Sequence, residues 1–224
     1  MRKRFADLHV LVPPSELAAS TSWIRDLGIR VLAFTPGRQD KSEDISRALA
    51  SLEAEGVEAH LRLDVDPAQG GKLLRKIAAL RAEFQLIAGA ITSAQGLRLL
   101  LRSGVDTLFA DVSHSRFLGP RSFESIAQAG KPFEVNIRPV IVTRGVQRAH
   151  ALQELSRQVA LAADAGATII LSSGALNLWE MRPPREMANI LALLSFDQGT
   201  AIETVSSSPL RLLREPCQSR RRNG

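Results

Sequence analysis

Asp, His and Asn are the side chains that ligate hard divalent ions or shuttle protons, and in this chain they recur within short apolar runs. Asp7 and His9 share one face of FADLHVLV, and His60, Arg62 and Asp64 share a face of EAHLRLDV. Asp111 lies in TLFADV with His114 just beyond it, and Glu134, Asn136 and Arg138 alternate through FEVNIRPVIV. Side chains alternate across a strand, so Leu8, Val10, Leu61, Leu63 and Val65 belong to the opposite, apolar faces. Two chemistries fit the polar set. Asp7, His9, Asp64, Asp111 and His114 could ligate the ion of a metal-dependent hydrolase. Alternatively, carboxylates beside Arg62 or Arg138 are ion pairs that fill an interior, with His9 satisfying a hydrogen bond there. A further feature, Ser172-Ser173-Gly174, is a small-residue turn feeding a helix. There Ser173 and Gly174 could cradle a phosphate through backbone N–H groups, or Gly174 could simply make a tight turn. The chain has no G-x-S-x-G elbow, no Walker loop and no dinucleotide fingerprint.

These residues need a frame that brings strand ends together, and the apolar pattern supplies one. Short runs rich in β-branched residues open near Phe5, Ile29, Glu58, Leu86, Thr107, Phe133, Thr168 and Ala201, each followed by a stretch of helical periodicity. Their mean spacing of 28 residues is one strand plus one crossover helix. Eight such units predict a (β/α)8 TIM-like barrel over residues 1–214, trimmed below the usual ~250 residues, as a single compact domain. A doubly wound open sheet has the same alternation. In a barrel the polar faces point inward, and groups near the C-terminal strand ends are placed for catalysis. Cap chemistry agrees with the alternation: Thr92-Ser93-Ala94-Gln95, Pro183-Pro184 and Ser208-Pro209 stand at helix starts. Gly28, Gly56, Gly104, Gly130 and Gly166 stand where helices end. From Glu215 the pattern dissolves, predicting a mobile basic tail over residues 215–224 that carries Arg220, Arg221 and Arg222.

Composition removes whole classes of function. With 45% hydrophobic and 23% charged residues, the chain is neither disordered nor collagen-like. No apolar run reaches the roughly 18 residues of a membrane span, and Asp7 interrupts the place of a signal sequence, so a cytoplasmic protein with no membrane contact is expected. A lone Cys217 excludes an intramolecular disulfide and a thiolate metal cluster. The net charge is +6 and the pI about 10.4, with most of the excess in the second half. Only five of 29 cations are lysine, and arginine's planar fork suits bidentate phosphate contacts, although GC-rich codon usage also favours arginine. Aromatics are 4% and tyrosine is absent, which argues against a stacking platform and for contacts through phosphates. The candidates for RNA contact are Arg138, Arg144 and Arg148, Arg182 and Arg185, Arg211 and Arg214, and the terminal Arg220, Arg221 and Arg222.

Two resemblances join these readings. Asp7-Leu8-His9-Val10 resembles the opening of the polymerase-and-histidinol-phosphatase superfamily of metal-dependent phosphoesterases, but Leu11 occupies the place of that family's second histidine. The resemblance implies the same scaffold without its metal. The stretch from Ile169 to Ala175, then Met181 to Leu194, then Ala201, Val205-Ser206 and Pro209 resembles the archaeal ribonuclease P protein component 3 family. The opening Phe5 to Leu8 and the run Phe133 to Asn136 are compatible with it. This resemblance implies a barrel-shaped subunit of the ribonucleoprotein that removes the 5′ leader of precursor tRNA by endonucleolytic cleavage. It implies that catalysis belongs to the RNA and its bound Mg2+, with no cofactor or catalytic residue in the chain. It further implies that the chain pairs with ribonuclease P protein component 2 beside other protein subunits, binds the ribonuclease P RNA, and meets precursor tRNA indirectly. The alternatives are a free-standing metal-dependent phosphoesterase on Asp7, His9, Asp64, Asp111 and His114, and a phosphate-sugar enzyme holding its ligand at Ser173 and Gly174.

Overall fold

Seven of the apolar runs are strands: β1 (Phe5–Val10), β2 (Ile29–Phe34), β3 (Glu58–Val65), β4 (Leu86–Ala90), β5 (Thr107–Phe109), β6 (Phe133–Asn136) and β7 (Ile169–Ser172). They belong to a computed structural model that describes residues 3–69, 77–194 and 196–214. The strands pair in chain order, every neighbour parallel, which the intervening helices make possible by returning the chain across the sheet. At the C-terminal end β1 and β7 meet: Gly174 donates to the His9 carbonyl at 2.9 Å and Leu11 to the Ala175 carbonyl at 2.7 Å. The sheet thus curls into a nearly closed barrel, as the repeat predicts.

The eighth run behaves differently. Residues from Ala201 are helix, α9 (Gln198–Glu203), followed through a turn by α10 (Ser207–Arg214). The Asp197 carboxylate caps α9 by accepting from Thr200 N at 3.0 Å. The Thr204 and Ser206 hydroxyls bond back to the carbonyls of Ala201 and Ile202, which favours a helical path over an extended one. Ala201 and Val205, buried together, fit helical spacing as well as they fit a strand. The seam is still satisfied, because the Thr204 carbonyl accepts from Leu171 N at 3.0 Å and the Val205 carbonyl from Ala6 N at 2.9 Å. A helical turn therefore fills the gap between β7 and β1 where an eighth strand was expected.

Three apolar groups hold this frame. Outside β1 and β2, Val10, Leu32 and Phe34 pack under α1 (Pro14–Ala19), α2 (Thr21–Asp26) and α3 (Ser42–Ala54) through Leu17, Ile24 and Leu52. The larger group covers β4 to β7 and joins α4 (Ala94–Leu101), α5 (Pro120–Gln128), α7 (Gly145–Asp164) and α8 (Pro184–Leu193), with Phe123 edge-on to Phe133 at 4.9 Å. Between β6 and α7 lies the short α6 (Arg138–Val142). Inside the barrel, Ala6, Leu8, Val31, Ala33, Leu86 and Ile170 meet Leu212 of α10, which closes the N-terminal end. Each fully buried Leu, Ile or Phe contributes roughly 1.5–3 kcal/mol, so these groups dominate the stability.

The predicted caps are in place only in part: Thr92-Ser93-Ala94-Gln95 does not close a capping box, and Ser208-Pro209 lies inside α10. Ser93 caps α4 by accepting from Gly96 N at 3.0 Å, and Pro183 precedes α8, whose first residue is Pro184. Of the glycines expected to end helices, Gly28, Gly56, Gly130 and Gly166 have positive φ, whereas Gly104 does not. The basic tail, with Arg220, Arg221 and Arg222, and Cys217 lie outside the described residues. Among the described residues no helix is long and apolar enough to cross a membrane.

Candidate functional site

The barrel interior carries two positive and two negative side chains arranged alternately. Arg62, fully buried, donates from Nε to Asp64 Oδ1 at 2.7 Å, and from Nη1 to Glu134 Oε2 at 2.6 Å and the Leu8 carbonyl at 2.7 Å. His9 stands across from it, with Nδ1 at 2.7 Å from Glu134 Oε1 and Nε2 at 3.1 Å from Asp64 Oδ2. Phe109 lies edge-on to the imidazole and beneath the guanidinium, at 5.0 and 5.3 Å. Alternation along β3 brings Arg62 and Asp64 to the inner face. On β1 a register irregularity between Asp7 and Val10 does the positioning.

That irregularity separates Asp7 from His9, which strict alternation places on one face. Leu8 packs with the interior residues and His9 also enters the barrel, whereas the Asp7 carboxylate turns to the β1–β7 seam. Its Oδ1 accepts from Ser173 N at 3.0 Å and His9 N at 3.4 Å, replacing ladder bonds that β1 and β7 cannot make there. Burial pushes the Asp7 carboxyl up against these hydrogen bonds. Oδ2 has no partner among the described residues, a setting that favours the protonated acid.

The interior charges hold one another. Burial and Arg62 oppose a proton on His9, but Asp64 and Glu134 outweigh both and raise the imidazole to about 9, so it is cationic at neutral pH. Burial likewise opposes ionisation of Asp64 and Glu134, and the adjacent Arg62 and His9 overcome it, holding both below the usual carboxylate range. Two cations and two carboxylates close into a neutral set.

This arrangement does not fit an ion. The Arg62 guanidinium occupies the position between Asp64 and Glu134, and the two His9 nitrogens face different carboxylates. Asp7 belongs to the seam. Asp111 is exposed, and His114 lies in the same loop with Nδ1 at 3.4 Å from Ser113 Oγ. Among the described residues no three His, Cys, Asp or Glu side chains converge to hold a metal. Of the alternative ligand set, His9 and Asp64 touch but are engaged by Glu134 and Arg62, Asp7 lies in the seam, and Asp111 and His114 lie farther out along the mouth of the barrel. The five therefore do not form one ligand cluster, and ion pairing describes both Arg62 and Arg138. Above the set, at the C-terminal mouth, opens a cavity of about 460 Å³ with His9, Asp64 and Asn136 among its lining, ringed by Asp66, Asp111 and Arg138.

The turn after β7 does not offer a phosphate cradle. Ser173 N donates to Asp7, Gly174 N to the His9 carbonyl and Ala175 N to Ser173 Oγ at 3.2 Å, so these N–H groups are already used. Gly174 is needed for another reason. Its φ is +67°, and a Cβ there would lie 3.1 Å from Asn136 Cβ. Gly174→Ala should cost about 1–3 kcal/mol in urea denaturation through strain and crowding together; an unchanged midpoint would contradict this account of the mouth.

The candidate RNA-contacting arginines occupy two surfaces. At the mouth, Arg138 is committed to Glu180 through Nε at 2.7 Å and Nη2 at 3.2 Å, clamping the loops after β6 and β7. Arg182 donates to the Trp179 and Met181 carbonyls at 2.6 and 2.7 Å, and Arg148 to the Thr143 carbonyl at 2.8 Å. Arg144 is exposed where α7 begins. On the other side, Arg185 lies over the Phe5 ring at 4.9 Å, and Arg211 and Arg214 project from α10, one helical turn apart. Chain order groups these residues, but a barrel sends loops to its mouth and the closing helix to its base. The sequence reading missed Trp179, which is 85% exposed on the turn Leu178–Glu180. Its signal was local: an indole in the polar loop between an apolar run and a Pro-Pro helix start.

The sequence model of the family described as RNase P subunit p30 matches residues 4–222. Ribonuclease P protein component 3 of Methanococcoides burtonii is 30% identical over 80 residues, 36% of this chain and 33% of that protein. The same component of Methanosarcina acetivorans is 24% identical over 90 residues, 40% of this chain and 38% of that protein. The matched stretch thus spans little more than a third of these relatives' length. Among solved structures, a chain in the cryo-EM structure of archaeal ribonuclease P with mature tRNA superposes with a TM-score of 0.78 at 15% identity, covering 93% of this chain and 90% of that one. A prolidase complexed with N-methylphosphonate-L-proline superposes at 0.60 and 10% identity, covering 95% and 74%. At such identities the likeness is one of fold, and it is the match over nearly the whole sequence that places the protein: the chain belongs to the RNase P subunit p30 family.

Proposed function

We propose that this chain is a noncatalytic, RNA-binding protein subunit of ribonuclease P, the ribonucleoprotein that matures tRNA by endonucleolytic removal of the 5′ leader. The family match over residues 4–222 carries this reading. The interior supports it, because a guanidinium stands among the carboxylates that a hydrolase would turn toward an ion. Bond cleavage then belongs to the RNA and its Mg2+, and the chain acts with protein component 2 and the other protein subunits in the cytoplasm. Its contribution is electrostatic. Exposed arginines neutralise RNA phosphates and release counterions, which lowers the repulsion between catalytic RNA and precursor tRNA.

Arg185, Arg211 and Arg214 on the α8–α10 side are uncommitted to carboxylates among the hydrogen bonds and ion pairs of the described residues, and they are the favoured phosphate contacts. Reversing all three to Glu should weaken binding to the cognate ribonuclease P RNA at least tenfold in filter binding. The slope of log K against log salt should flatten by roughly 0.7–0.9 for each phosphate no longer neutralised. Unchanged affinity and slope would remove this face from the RNA interface.

A further inference from the structure

We propose that Trp179 is a stacking platform for an unpaired nucleobase of RNA, a site that rests on the RNA-subunit reading above. The indole is 85% exposed, yet its backbone is held from both sides. Glu180 accepts from Arg138, from Leu176 N at 2.8 Å and from Asn177 Nδ2 at 3.0 Å, while the Trp179 carbonyl accepts from Arg182 at 2.6 Å. The turn Leu178–Glu180 also packs against α6. A large apolar ring is thus presented to solvent on a fixed turn instead of folding onto the surface. An amphipathic ring of this size, with further apolar side chains exposed on neighbouring segments, marks a contact site for a partner.

The surrounding charge selects the partner. Arg138 neutralises Glu180, leaving Arg182, bonded to the Trp179 carbonyl, and Arg144 and Arg148 at the start of α7 as the cations of this part of the mouth. An exposed planar ring with arginines on its own loop and on the segments around the adjacent α6 matches a nucleotide: the base covers the indole and its phosphates meet the arginines. Leu176 just before the turn, Val142 at the end of α6 and Val146 in the first turn of α7 are exposed as well. Because the turn is already ordered, little conformational entropy is lost on stacking. Every base has a π-face, so the site selects an unpaired nucleotide rather than a sequence.

Trp23→Phe leaves Trp179 as the sole tryptophan of the full-length chain, so its emission reports the site directly. The cognate ribonuclease P RNA, which carries unpaired segments, should quench that emission, and a fully paired RNA duplex should leave it unchanged. In the otherwise unaltered chain, Trp179→Ala should weaken binding of the cognate RNA roughly tenfold, and Trp179→Phe should restore most of it. If the RNA retards the chain in a gel while emission is unchanged and Trp179→Ala binds equally well, the stacking site is wrong and the subunit reading survives. If neither retardation nor quenching occurs, both fall. A change in emission on adding protein component 2 without RNA would assign the indole to a protein interface and overturn the proposal.

Discussion

Arg62→Met should destabilise the protein by about 3–5 kcal/mol in urea denaturation, a large share of the stability of a domain this size. The guanidinium is fully buried and satisfies Asp64, Glu134 and the Leu8 carbonyl at once. Methionine fills similar volume but leaves the buried Glu134 and the half-buried Asp64 carboxylates facing one imidazolium. The remaining negative charge must then be desolvated without compensation or take up a proton. Removing a carboxylate as well should cost less than the sum, so Arg62→Met with Glu134→Leu should show a favourable coupling of about 1–3 kcal/mol in a double-mutant cycle. A single-variant loss below about 1 kcal/mol would mean that the interior charges are not the paired set described above.

Stability should also fall on the alkaline side of neutrality, through His9. Its pKa rises from 6.5 to about 9 on folding, so the native state holds the proton more tightly than the unfolded chain does. The contribution is complete below pH 6.5 and is lost as pH climbs through 9, amounting to roughly 3 kcal/mol. Asp64 and Glu134 act in the opposite sense: both are depressed on folding, so their contribution holds above the ordinary carboxylate range and vanishes as acid protonates them. Asp7, whose buried carboxyl is raised on folding, also loses stability as pH rises past the ordinary carboxylate range, so the profile should decline toward pH 9. His9→Gln should be less stable at pH 6 and should flatten the alkaline limb. An unaltered slope between pH 6.5 and 9 in that variant would refute the assignment of the charged imidazole.

Much of the frame was legible because strand and helix periods differ. The 28-residue repeat located β1 to β7 from their apolar runs, and the pairing of Arg62 with interior carboxylates followed from charge and alternation, whereas Arg138 starts α6 and pairs with Glu180 of the mouth turn. What escaped depends on tertiary context. AIETVS reads equally as strand or helix, and only the Asp197 cap and the seam's need for the Thr204 and Val205 carbonyls decide for helix. Strict alternation put Asp7 beside His9, since an irregularity inside β1 leaves no mark in composition. Nothing in the sequence could reveal that the two His9 nitrogens face different carboxylates, which is the detail that dissolves the metal-ligand set. The arginines were correctly seen as numerous and late, but their division between mouth and base is set by barrel geometry rather than by order along the chain. Low aromatic content argued against stacking, and one indole on a fixed turn reopened it.

Cleavage itself gives the most direct test that this barrel serves an RNA catalyst and does no bond chemistry of its own. Single-turnover cleavage of precursor tRNA would be measured with the cognate RNA and protein component 2, with and without this chain, at limiting Mg2+. The account predicts faster 5′ leader removal when the chain is added and no cleavage by the chain in the absence of RNA. A rate indifferent to its addition, or metal-dependent phosphodiester hydrolysis by the protein alone, would contradict it.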